Sequence, residues 1–138
     1  MGGCVWNEGD LTLREVKVRF GESAQGGGVA STGNLLAMND VVVEQCSAQE
    51  GGGIFVSGPE TSLLLGRGLI GQNAAVRRGD WAVGGGVFVE GAFAQIEDTI
   101  IIGNSTDDHG GGLKMLKGAH SLLDRVTFAE NYSASADL

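Results

Sequence analysis

A glycine triplet returns along this chain at Gly26, Gly51, Gly84 and Gly110, spaced 25, 33 and 26 residues apart. Counting 25 residues back from Gly26 reaches Met1, with Gly2 and Gly3 behind it, so the chain begins in register with its own repeat. Self-similarity at a period of about 20–50 residues is the signature of stacked repeats, each burying its apolar face against its neighbours. The triplets divide the chain into five coils, 1–25, 26–50, 51–83, 84–109 and 110–138.

Each triplet opens a short apolar segment: Cys4-Val5-Trp6, Val29-Ala30-Ser31, Ile54-Phe55-Val56, Val87-Phe88-Val89 and Leu113-Lys114-Met115. Apart from Ser31 its outer two positions are apolar, as side chains alternating across a strand require. A second strand presents Leu13, Met38, Leu65, Ile96 and Leu122 at one matched position, with Leu11, Leu36, Leu63, Ala94 and His120 two residues earlier. That places His120 in a core-facing slot. A third strand presents Val18, Val43, Ile70, Ile101 and Phe128, and three residues later stand Gly21, Cys46, Asn73, Asn104 and Asn131. Matched positions recur once per coil, so the strands cannot pair as hairpins. They must stack in parallel on the neighbouring coils, about 4.8 Å apart. The expected fold is all-β, a right-handed parallel β-helix of five coils of about 25 residues, the hand being the default for such crossovers. A leucine-rich repeat would need its own spaced Leu and Asn pattern, which these coils lack.

Openings such as Gly27-Gly28-Val29, Gly52-Gly53-Ile54 and Gly85-Gly86-Val87 alternate with Phe128-Ala129-Glu130-Asn131 and its variant Ile101-Ile102-Gly103-Asn104. This pattern resembles the paired GGA[ILV] and FxxN repeats of chlamydial polymorphic outer-membrane proteins, within the pectate-lyase-like β-helix superfamily. The resemblance implies a surface-exposed passenger with a role in adhesion. One coil has Phe in the FxxN slot, and no translocator barrel accompanies the repeats.

Charge narrows the partners. A net charge of −8 with nine Lys and Arg supplies no basic face to displace counterions from phosphates. No nucleic acid is expected, and an anionic membrane surface is disfavoured for the same reason. No apolar run approaches the roughly 18 residues of a membrane span. Met1-Gly2-Gly3-Cys4 lacks the regions of a secretion signal, and Trp6 stands where a myristoylation pattern wants Ser or Thr. High glycine without an every-third-residue period excludes collagen. Cys4 and Cys46 fall in different slots of the repeat, so no disulfide is expected between them. Both chain ends meet coil boundaries without an evident cap, which suggests a segment of a longer solenoid or end-to-end self-association.

Several positions carry chemistry. Glu15, Asp40, Arg67, Asp98 and Asp124 form a column ahead of the Asn slot. Its plain reading is a turn column in which Arg67 separates Asp40 from Asp98. Its catalytic reading pairs Asp98 with Asp124, because retaining glycosidases need carboxyls about 5 Å apart and adjacent coils could supply that spacing. Asn73, Asn104 and Asn131 predict an asparagine ladder; Asn104-Ser105-Thr106 and Asn131-Tyr132-Ser133 also match the glycosylation sequon, which an inward ladder residue could not serve. Asp107-Asp108-His109 has no counterpart in other coils and reads as a solvated turn. No metal site and no cofactor are expected.

The third coil is the long one, its excess lying mostly between Asn73 and Gly84. A loop over 74–83 should protrude, and loops are where binding tends to sit. It carries Arg78-Gly79-Asp80, which reads like an integrin-recognition tripeptide, followed by Trp81. Phe55 and Phe88 should face outward on one strand, and Val42, Leu69 and Ile100 on another, offering apolar columns to a partner. The leading expectation is a non-enzymatic surface or extracellular binding or adhesion scaffold, whose partner is a protein or carbohydrate surface. The alternatives are a carbohydrate-active β-helix enzyme and a passive spacer or fragment.

Overall fold

The computed structural model describes residues 2–134, in which the chain winds into a parallel β-solenoid of about five turns with no helix among the described residues. Met1 and residues 135–138, counted above into the first and fifth coils, lie outside them. The first strands of successive coils, Val5–Asn7, Val29–Ser31, Ile54–Ser57, Val87–Glu90 and Leu113–Leu116, form one five-stranded parallel sheet. The second and third strands form a larger bent sheet; in the fourth and fifth coils they are continuous, as Phe93–Ile102 and His120–Ala129. A fourth, two-residue strand closes the coil at Ser47–Ala48, Ala74–Ala75, Ser105–Thr106 and Tyr132–Ser133.

From the second coil to the fourth, registers follow the repeat slots. In the first strand of the first coil they are displaced by one, Val5 and not Cys4 stacking on Val29, so that Gly2 and not Met1 takes the leading triplet position. Val5, Val29, Ile54, Val87 and Leu113 stack in one column, and Val18, Val43, Ile70, Ile101 and Phe128 in another. Inward-facing residues of all three long strands fill a single apolar core running through the stack. Three corners recur in the left-handed region. They are the first glycines of the triplets, the column Glu15, Asp40, Arg67, Asp98 and Arg125, and the column Phe20, Gln45, Gln72, Gly103 and Glu130.

The fifth coil corrects the expected register. Four residues, 116–119, separate Met115 from His120, where three separate Val89 from Phe93. The extra residue lies in the turn containing Lys117 and Gly118, both with positive φ. Ile96 therefore pairs with Leu123, not Leu122, and Ala94 with Ser121, not His120. A one-residue slip turns every side chain to the opposite face. His120 accordingly sits opposite Phe93 and is exposed, not core-facing. Asp124 pairs with Glu97, so the corner column ends on Arg125.

Phe55 and Phe88 also differ from expectation. They do point away from the main core, yet each is only 2% exposed. With Ala30 and Val83 they make a second, smaller apolar cluster, their rings 5.6 Å apart and tilted by 53°. The segment that closes each coil folds back over the outside of the first sheet, its bridges running Gln25–Glu50–Val83–His109. A β-carbon on Gly84 would lie 2.7 Å from Phe88 Cβ, so the leading triplet glycine lets the closing segment lie against that outward side chain. These two aromatics are core, not a free surface.

Candidate functional site

The insertion in the third coil is shorter than its sequence range. Ala74 and Ala75 belong to the fourth strand, and Ala82 and Val83 are buried. Seven residues, 76–82, connect Ala75 to Val83, where Gln49 alone connects the matched positions below and Asp107-Asp108 those above. Val76 through Trp81 are all exposed, with Trp81 at 43% and Val76 at 41%. Arg78, Gly79, Asp80 and Trp81, the binding residues expected from the sequence, all stand on this exposed stretch.

The loop is tied down at both sides. On one, Asp108 bonds the Arg77 guanidinium and accepts the Ala82 backbone N–H at 2.6 Å, while the Asp107 carboxylate accepts the Arg77 backbone N–H at 2.7 Å. Arg77 holds the Asp108 carboxyl below its ordinary value, first through that hydrogen bond. The Asp107-Asp108-His109 turn thus braces the loop from the coil above. No group of three or more His, Cys, Asp or Glu is placed to hold a metal among the described residues. On the other side, Arg78 pairs with Glu22 and Gln49 donates to the Trp81 carbonyl at 3.0 Å. Gly79 bends the tip at φ 111°, a conformation that a side chain would strain. An exposed pair such as Arg78–Glu22 contributes about 0–1 kcal/mol. It orients Arg78 without withholding it from a stronger partner.

The acidic column is an ion-pair ladder. Arg67 Nε and Nη2 donate to both oxygens of Asp40, at 2.8 and 2.9 Å. Arg125 repeats the arrangement on Asp98 and bonds Asp124 as well. Those hydrogen bonds hold the Asp40 and Asp98 carboxyls below their ordinary values. A glycosidic general acid needs the opposite shift, a carboxyl kept protonated near neutrality. The Asp98 and Asp124 carboxylates share one guanidinium, that of Arg125.

The asparagine ladder forms as the spacing predicts. Asn73 Oδ1 accepts the Cys46 N–H, Asn104 Oδ1 accepts both the N–H and Nδ2 of Asn73, and Asn131 Oδ1 does the same for Asn104, each at 3.0 Å. Their Nδ2 groups donate down the stack to Val43, Ile70 and Ile101 carbonyls. Asn73 and Asn104 have no exposed surface. Asn104 therefore offers no amide to a glycan.

On the third strand, Val42, Leu69 and Ile100 stack in register on the outer face, with Ile100 46% exposed. Beside them lies a feature not read from the sequence, an open cleft of about 230 Å³ lined by Asn39, Leu64, Leu65, Gly66, Gln95 and Glu97. It arises because Gly66 leaves a notch in the outward column Arg14, Asn39, Gly66, Glu97 and Asp124. Its signal in the sequence is that one glycine, Gly66, among larger residues at the matched outward position.

No family model, no curated protein and no solved structure gives a significant match to the chain. No helix among the described residues is long and apolar enough to cross a membrane.

Proposed function

We propose that this solenoid is a non-enzymatic binding scaffold of a surface or extracellular, adhesive kind, recognising a protein or carbohydrate surface through the loop Val76–Trp81. The observation that carries the reading is the loop itself: six consecutive exposed residues at the one large insertion in the stack. A rigid stack beneath it and braces on both sides keep the entropy cost of binding low. Trp and Arg are the residue types that most often dominate binding energy, and here both stand at the exposed tip. The resemblance to polymorphic outer-membrane proteins and the Arg78-Gly79-Asp80 tripeptide favour the same reading. The carbohydrate-active alternative finds no support in the Asp98–Arg125–Asp124 arrangement.

The test is adhesion of beads coated with the chain to integrin-bearing fibroblasts. The paired substitution Arg78→Ala with Trp81→Ala is expected to reduce retained beads by about tenfold or more, the loss of two anchor residues. Circular dichroism should be unchanged, because both side chains are exposed. Equal retention of wild type and variant would sink the proposal.

A further inference from the structure

In the second to fifth coils the ladder residue leans on the third glycine of its own triplet. A β-carbon built on Gly28 would lie 3.2 Å from Cys46 Sγ, and one on Gly53 2.8 Å from Asn73 Nδ2. On Gly86 and Gly112 it would lie 3.0 Å from Asn104 Nδ2 and Asn131 Nδ2. The first coil exchanges the two residues. Gly21 stands in the ladder slot, and Cys4 takes the triplet position in register with Gly28. The Cys4 side chain turns into the space that Gly21 leaves: a β-carbon on Gly21 would lie 2.8 Å from Cys4 Sγ.

Cys46 meets it from above. Its thiol takes the part of a ladder amide, Sγ lying 4.0 Å from the Val18 carbonyl as Asn73 Nδ2 lies 2.9 Å from Val43. Its sulfur also faces the Gly21 backbone N–H. Cys4 Sγ thus rests against Gly21 in its own coil, while Cys46 Sγ rests against Gly28, which lies in register with Cys4 one strand spacing, about 4.8 Å, above it. They are the only cysteines in the chain. Both are free thiols here, Cys4 exposed and Cys46 buried.

We propose that Cys4 and Cys46 are an oxidisable pair that forms an intramolecular disulfide, latching the first coil to the second. The slots differ along the repeat, but the Cys4–Gly21 exchange brings them face to face. With a disulfide such as oxidised glutathione as oxidant, the exposed Cys4 thiolate attacks one glutathione sulfur and expels a glutathione thiolate, leaving a mixed disulfide on Cys4. The Cys46 thiolate then attacks Cys4 Sγ and expels the second glutathione. Two electrons pass from the protein thiols to glutathione, and the two thiol protons go to the two glutathione thiolates. Burial raises the Cys46 thiol above its ordinary value, which leaves the exposed Cys4 to react first with the oxidant and makes the second step faster as pH rises. Closing the bond to about 2.05 Å requires Cys4 to rotate towards the ladder, a motion open to its exposed segment.

The experiment incubates the folded 138-residue chain with oxidised glutathione and follows its mass, its free thiols and its tryptic peptides. The expected product has lost two hydrogens and both titratable thiols. Its peptides Met1–Arg14 and Phe20–Arg67 are linked, and dithiothreitol separates them. The Cys4→Ser chain, in which the buried Cys46 is untouched, should keep one thiol that reacts only on unfolding. Glutathione retained on Cys4 beside a free Cys46, a dimer linked through Cys4, or no reaction would each overturn the proposal.

Discussion

Asn104 satisfies four polar groups in a place water does not reach. Its Oδ1 accepts from the N–H and the Nδ2 of Asn73, and its Nδ2 donates to the Ile70 carbonyl and to Asn131 Oδ1. Asn104→Ala leaves these partners buried and unpaired, each such group costing about 1–3 kcal/mol. The variant is expected to lose roughly 2–5 kcal/mol of stability in urea denaturation. Asn131→Ala, at a half-buried position, should lose less. A loss under about 1 kcal/mol for Asn104→Ala would show that the ladder is incidental to the stack. The ladder was legible in the sequence because a side-chain amide can both accept from and donate to a neighbouring coil, and Asn recurs at that slot in three successive coils. The Cys4–Gly21 exchange was not legible, since nothing in one dimension says that two slots face each other.

Among the elements, the triplet is the least replaceable. A β-carbon on Gly85 would stand 2.1 Å from the Ser105 carbonyl oxygen and 2.5 Å from that of Gly111, backbone atoms of its own coil and the next. Gly85→Ala must push two ladders apart and is expected to cost more than about 3 kcal/mol in chemical denaturation. Gly9→Ala, with nothing within 4 Å, is the matched control and should change stability by less than about 0.5 kcal/mol. Similar changes for both would show that close packing against the neighbouring coil is not what requires glycine in the triplet. This steric demand is why the period could be counted from the sequence. The second strand of the fifth coil shows the limit. Its register depends on whether the extra residue lies before or after the strand, and both placements leave an acceptable apolar pattern. The turn through Lys117 and Gly118 took it, moving His120 to solvent and putting Arg125 where Asp124 was expected.

At the scale of the molecule, pH acts through two opposed groups of carboxyls. Asp40 and Asp98 are lowered by their arginine hydrogen bonds, so what they contribute is present above the unfolded value of about 3.9 and lost as pH falls through their lower folded values. Glu50 is raised, first by burial, against a 2.8 Å hydrogen bond from Gln25. The folded chain holds that proton longer than the unfolded one, so Glu50 lowers stability as pH rises from about 4.3 through its raised value. Glu50→Gln should therefore unfold at higher urea than wild type at pH 7 and at the same urea near pH 3; an equal gap at both would exclude titration of Glu50 as the cause. The sequence by itself determined the all-β stack, its period, the core columns of its three middle coils, its ladder and the site of its insertion. Those follow from sterics and alternation that each coil imposes on its neighbour. Only the tertiary structure decided which outward residues are free. Phe55 and Phe88 vanish beneath the closing segment, Asp98 and Asp124 are spent on Arg125, and Val76–Trp81 remain. Exposure depends on where the chain folds back over itself, and that path is set by contacts between segments far apart in the repeat.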